Sequence, residues 1–167
     1  MWTTDELAAL GKVVMNFTAL DACADRLLAG FISESAVAEI IVAGESITWK
    51  LEKLDVIAVE HLKGSEAKET LLDWTKATRL LNGRRNQMIH SWFFDEGNIG
   101  SLTRMKASTR GGRWKGQSEP FQLDQVQEVV SLLTQGIEAA HTLAQALRET
   151  GQWHGDLLVV DSAPGPV

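Results

Sequence analysis

Apolar residues recur at three- and four-residue steps through most of this chain, the spacing that one face of an α-helix produces. Thr3-Thr4-Asp5-Glu6 has the form of a capping box, with Thr3 as N-cap and Glu6 at the third helical position. Leu7, Leu10, Val14, Phe17, Leu20, Ala24, Leu27 and Phe31 follow as one stripe, which predicts a long amphipathic helix near residues 4–31. Ser33-Glu34-Ser35 breaks it. Residues 36–43 are apolar enough for a short buried helix or strand, and periodicity does not choose between them; Gly44 ends the run. Ser46 can cap a further helix whose inner side carries Ile47, Leu51, Leu54 and Ile57, with His61 a candidate for the same side. Lys50, Glu52, Lys53 and Glu60 fall mostly on its other sides.

Lys63-Gly64-Ser65-Glu66 reads as a stop and a fresh N-cap. Leu71, Leu72, Trp74, Thr75, Thr78 and Leu81 give another long helical pattern, which Gly83 either ends or weakens. Residues 85–90 lie on its continuation or open a new helix. After Phe94 the pattern changes. Asp95-Glu96-Gly97-Asn98 and Gly111-Gly112 are turn signals around Leu102-Thr103-Arg104-Met105-Lys106 and Arg113-Trp114-Lys115, which predicts a polar β-hairpin. Helical spacing returns after Pro120 with Val126, Val129, Val130, Leu133, Ile137, Ala140, Leu143, Ala144 and Leu147, and Thr150-Gly151 closes it. Beyond lies a tail whose Leu157-Leu158-Val159-Val160 can dock as a short strand or anchor. The predicted class is all-α. One domain, residues 1–150, holds four to five helices in a bundle, with a hairpin or loop insertion at 95–120 before the last helix and a tail at 151–167.

Length agrees with one domain, since a chain of 167 residues buries roughly 70% of its unfolded surface. The single cysteine, Cys23, has no disulfide partner and sits among Leu20, Ala24 and Leu27, as a small buried hydrophobe would. Met1-Trp2-Thr3-Thr4-Asp5-Glu6 lacks a basic n-region, and no uncharged apolar run approaches the roughly 18 residues of a membrane span. The expectation is a soluble cytoplasmic protein.

Charge is unevenly placed. Between Arg79 and Lys115 stand eight basic and two acidic residues, a net +6, so the rest of the chain carries −12 against an overall −6. An acidic body argues against coating nucleic acid through bulk electrostatics. The basic segment suits a confined anionic ligand and equally suits a solvated hairpin balanced by helix carboxylates.

Within that segment Arg85-Asn86-Gln87-Met88-Ile89-His90 carries the most chemistry. Arginine can clamp a phosphate bidentately at any pH. Histidine, with an unperturbed pKa near about 6.5, can take or give a proton near neutrality. The two could cleave RNA without a metal. Asn86 shares a helical face with His90, whereas Arg85 stands about 140° away by helical geometry. One helix alone would not aim both groups at one point unless the long Arg side chain reaches.

This motif and its helical setting resemble the HEPN superfamily, an all-α group marked by Arg, a polar residue, and His a few positions on, here Arg85, Asn86 and His90. The resemblance extends over residues 4–148. It includes Asn16-Phe17-Thr18-Ala19-Leu20-Asp21, Lys50-Leu51-Glu52-Lys53-Leu54 and His90-Ser91-Trp92. It implies a metal-independent endoribonuclease with sites formed across a homodimer, in a setting of stress response or phage defence. His90 would then be general acid or base, Arg85 the phosphate clamp, and Asn86 would orient the imidazole or bind phosphate. Arg84, Arg104, Lys106, Arg110, Arg113 and Lys115 are the expected RNA-binding cations. Met88, Ile89, Trp92, Phe93 and Phe94 supply apolar surface for a two-fold partner. No cofactor is expected, and an antitoxin or other partner protein is a candidate partner. One departure is clear. Toxin-type members paired with a nucleotidyltransferase antitoxin often carry tyrosine two residues after the histidine; here Trp92 stands there, and the chain has no tyrosine. The alternative is a noncatalytic HEPN-like module that binds RNA, a nucleotide or a protein.

Other chemistry is sparse. His61, His141 and His154 are scattered without zinc-ligand spacing, and no Gly-Lys-Ser/Thr follows Gly111-Gly112 to make a phosphate loop.

Overall fold

A computed structural model of the chain describes residues 2–32, 37–90, 122–151 and 153–155 with their side chains; it describes residues 36, 92–95, 102–110 and 113–120 as backbone. The framework is helical. Five helices occur among the described residues: α1 (Thr4–Ile32), α2 (Ala36–Val42), α3 (Ile47–Glu60), α4 (Glu66–Ile89) and α5 (Leu123–Glu149). Between α4 and α5 the backbone forms β1 (Trp92–Asp95), β2 (Leu102–Arg110) and β3 (Arg113–Pro120), antiparallel in the order β1-β2-β3. The breaks and turns at 33–35, 96–98 and 111–112 lie outside the described residues, as does the apolar run 157–160.

Local chemistry sets the helix ends. At α1 the Thr3 hydroxyl accepts from the Glu6 amide at 3.2 Å, and the Thr3 amide donates to Glu6 Oε2 at 2.7 Å, a complete capping box. Ser46 Oγ accepts from the Trp49 amide at 3.2 Å to open α3. Gly64, in the turn between α3 and α4, and Gly151, just past the end of α5, take positive φ, 77° and 69°, where glycine has no Cβ to clash. Residues 36–42, undecided by periodicity, are helical. α4 continues through Gly83 to Ile89, so Arg85 lies on the continuation of the same helix.

Two compact units divide the chain: Met1–Asp21 with Lys76–Ile137, and Ala22–Thr75 with Glu138–Val167. In the first, Ala9, Val13, Phe17 and Leu20 of α1, Thr78, Leu81 and Met88 of α4, and Val126, Val129 and Leu133 of α5 are buried. The three helices meet at Gly136, where an added Cβ would stand 3.3 Å from Leu20 and 3.5 Å from Leu81. The α1 stripe differs here from expectation. Leu7 and Val14 are exposed, while Ala9 and Val13 face inward. The first half of α1 is apolar on nearly every side, so spacing alone supports either phase.

The second unit buries Ala24, Leu27 and Leu28 of α1, Leu51, Leu54 and Ala58 of α3, Leu71 and Trp74 of α4, and Leu143 and Leu147 of α5. Lys50, expected on an outer side, is 2% exposed and pairs with Asp25 of α1 at 2.8 Å. Its carboxylate partner offsets the desolvation that an ammonium would otherwise suffer. His61, a candidate for the inner side, is exposed. Cys23 is buried, and burial pushes its thiol up to about 11 against a smaller opposing effect of Arg26. The segment read as a tail begins with an anchor: Trp153 is 2% exposed and donates from Nε1 to the Leu27 carbonyl at 3.0 Å. The His154 amide donates to the Gly30 carbonyl at 3.0 Å. Both bonds serve carbonyls in the last turns of α1.

By length and composition α1 is apolar enough to cross a membrane, with a window of mean hydropathy 1.3 that is 33% buried.

Candidate functional site

Arg85, Asn86 and His90 come together at the C-terminal end of α4, within the first unit. α4 ends at Ile89 and His90 stands at its cap, still on the last turn, so the long Arg85 side chain spans the separation between the two positions. It is still tethered by its amide, which donates to the Asn86 carbonyl at 3.1 Å. Arg85 Nη1 lies 3.5 Å from His90 Nε2, the long limit of a hydrogen bond. A guanidinium only donates, so the contact is a hydrogen bond in the tautomer whose Nε2 carries no proton.

Asn86 contacts the guanidinium directly. Its Oδ1 accepts from Arg85 Nη1 at 2.9 Å, and its Nδ2 donates to Asn82 Oδ1 at 3.3 Å, so the amide orders the guanidinium and not the imidazole. Phe17 of α1 lies under the same group, with Arg85 Cζ 5.0 Å from the ring centroid. Sequence reasoning missed both Asn82 and Phe17. Asn82 had a readable signal, since it stands one helical turn before Asn86. Phe17 showed as one member of an apolar stripe and of the Asn16–Asp21 segment, with no role at the site attached to it.

The two neighbouring arginines differ in electrostatics. Arg84 forms an exposed ion pair with Glu128 at 3.0 Å. That pairing counts against Arg84 as a cation available to RNA. Around Arg85 the partners among the described residues carry no negative charge: an amide, an imidazole and an aromatic face. Among the described residues no carboxylate pairs with it, and its Nε is buried without a hydrogen-bond partner. Among the described residues the positive charge is held in place without a counter-charge, an arrangement suited to binding an anion.

Met88 is 6% exposed and belongs to the core of its own chain, so it offers little to a partner; Ile89 is half-buried and His90 exposed. The side chains of Trp92, Phe93 and Phe94 lie outside the described residues, as do those of Arg104, Lys106, Arg110, Arg113 and Lys115. Their backbone register is described. Arg110 pairs with Arg113, Ser108 with Lys115, Lys106 with Gln117 and Arg104 with Glu119, so alternation places all five basic positions on one face of the sheet.

Among the described residues no group of histidine, cysteine, aspartate and glutamate is arranged to hold a metal ion. A shallow groove lined by Asp5, Lys12, Leu123 and Gln127 includes neither Arg85 nor His90. No protein-family model, curated protein or solved structure matches the chain.

Proposed function

We propose that this protein is a cytoplasmic, metal-independent endoribonuclease of HEPN type, acting as a homodimer in stress response or phage defence. The observation that carries the reading is the 3.5 Å approach of the Arg85 guanidinium to the His90 Nε2 at an exposed helix end, with no carboxylate on Arg85 among the described residues. His90 Nε2 takes the ribose 2′-OH proton, and the 2′-oxygen attacks the adjacent phosphorus. The leaving 5′-oxygen receives a proton from an imidazolium, that of the same residue or of the partner copy. Arg85 stabilises the charge that grows on the non-bridging oxygens. An incoming phosphate draws the guanidinium toward itself and frees the Nε2 lone pair for this work. The five basic positions on one sheet face supply affinity for the rest of the strand, and their effect weakens with salt.

Labelled RNA incubated with the protein in EDTA tests the mechanism. Cleavage should persist, leaving 2′,3′-cyclic phosphate and 5′-hydroxyl ends, and His90→Ala should abolish it. Mixing inactive His90→Ala and Arg85→Ala chains should restore part of the activity if the site is composite. Cleavage that needs added Mg²⁺ or Mn²⁺ would overturn the mechanism. RNA binding without any cleavage would leave the noncatalytic module as the better account.

A further inference from the structure

We infer that Phe17 is a positioning residue for Arg85: its ring is the platform that fixes the plane of the guanidinium at the site. The inference rests on the ribonuclease reading above and concerns the same group. Phe17 is 7% exposed, a packed residue of α1 within the unit that holds the site. Its neighbour Asn16 donates from Nδ2 to Thr134 Oγ1 of α5 at 3.1 Å, so this turn of α1 is pinned on both sides. Arg85 Cζ stands 5.0 Å from the ring centroid, within cation–π range.

An arginine side chain has many rotamers, and a bidentate clamp works only in one plane. Two restraints act here and they are complementary. The Asn86 Oδ1 bond, 2.9 Å from Nη1, fixes one corner of the group but leaves it able to swing about that corner. The aromatic ring supplies a second point of restraint, because its electron-rich π surface attracts the cation. Neither restraint carries negative formal charge, so neither competes with a phosphate. A carboxylate in the place of Phe17 would hold Arg85 as firmly and would neutralise it.

The test compares Phe17→Leu, which keeps apolar bulk without a π face, with Phe17→Tyr, which keeps the face. Phe17→Leu should lower kcat/KM for RNA by about 3- to 30-fold, the range that a partly desolvated cation–π contact spans. Phe17→Tyr should remain within about twofold by the same argument. A second readout separates positioning from general packing. Binding of a 2′-O-methyl RNA, which cannot be cleaved, is measured for Phe17→Leu in the native and in the Arg85→Ala background. A residue acting through Arg85 weakens binding in the first and not in the second. Equal losses in both backgrounds, or an unaltered kcat/KM in Phe17→Leu, would overturn the positioning role while leaving the ribonuclease reading in place. Native protein that neither cleaves nor binds RNA would overturn the reading beneath it.

Discussion

The two compact units each hold a cation away from water, and they do so by opposite means. Lys50 in the second unit is almost fully buried and pairs with the Asp25 carboxylate at 2.8 Å. Arg85 in the first is half-buried and is held by Asn86, His90 and the Phe17 ring, none of which neutralises it. A cation with its own carboxylate is finished: it contributes to folding and has no charge left to offer. A cation held by neutral groups keeps its charge for a ligand. Arg84 repeats the lesson at one residue's distance, since its pairing with Glu128 makes it a surface ion pair worth little to either stability or binding.

If that contrast is sound, the largest effect should fall on catalysis at His90. His90→Ala should lower RNA cleavage by about 10²- to 10⁴-fold, the usual contribution of general acid–base catalysis, with an unchanged Tm because the ring is exposed. A His90→Ala protein that fails to fold would instead make the residue structural. Arg85→Lys should also lose most activity, since an ammonium cannot reproduce the planar fork.

In the second unit the same kind of change should act on stability. Asp25→Ala removes the carboxylate 2.8 Å from the buried Lys50 ammonium, and urea denaturation should register a loss of about 1.5–3 kcal/mol, the range for a contact with a charged group. Asp25→Ala that leaves the urea midpoint unchanged would show that this carboxylate does not help to hold Lys50 in the core. Gly30→Ala probes the neighbouring Trp153 anchor, because its new Cβ would overlap the indole. Overpacking of that kind costs about 1–3 kcal/mol, and tryptophan fluorescence should move to the red as the indole is displaced. Unchanged emission and stability would show that the anchor is slack.

The smallest effect should come from the sheet. Reversing Arg110, Arg113 and Lys115 to glutamate should flatten the salt dependence of RNA binding, by about 0.7 in the log–log slope for each phosphate of a single strand that is no longer neutralised. An unchanged slope would return these residues to the role of a solvated surface.

Much of this arrangement was legible in the chain, and the rest was hidden for physical reasons. The capping box at Thr3, the Ser46 cap and the inner face of α5 are local, and short-range patterns encode them fully. The phase of α1 was not legible, because Leu7, Ala9, Val13 and Val14 offer two apolar faces and only tertiary packing selects one. Lys50 looked like a surface residue because its partner, Asp25, lies on another helix. Trp153 sits past the glycine that closes α5, in sequence that reads as tail, and its hydrogen bond to α1 leaves no periodic trace. At the site, Arg85 and His90 were legible as a motif, but their approach was not. Helical rotation separated them on paper, and the reach of the Arg85 side chain spans that separation.

Two adjacent residues of equal charge, Arg84 and Arg85, carry the central difference. Arg84→Ala and Arg85→Ala change the net charge equally, so bulk electrostatics treats them alike. Affinity for a 2′-O-methyl RNA, measured at fixed salt for both variants beside the native protein, separates them. Arg85→Ala should weaken binding by about tenfold or more, as loss of a charge-assisted bidentate contact does, and Arg84→Ala by less than about threefold, as loss of an exposed ion pair allows. Equal losses, or a larger loss at Arg84, would contradict the claim that neutral partners reserve Arg85 for the phosphate.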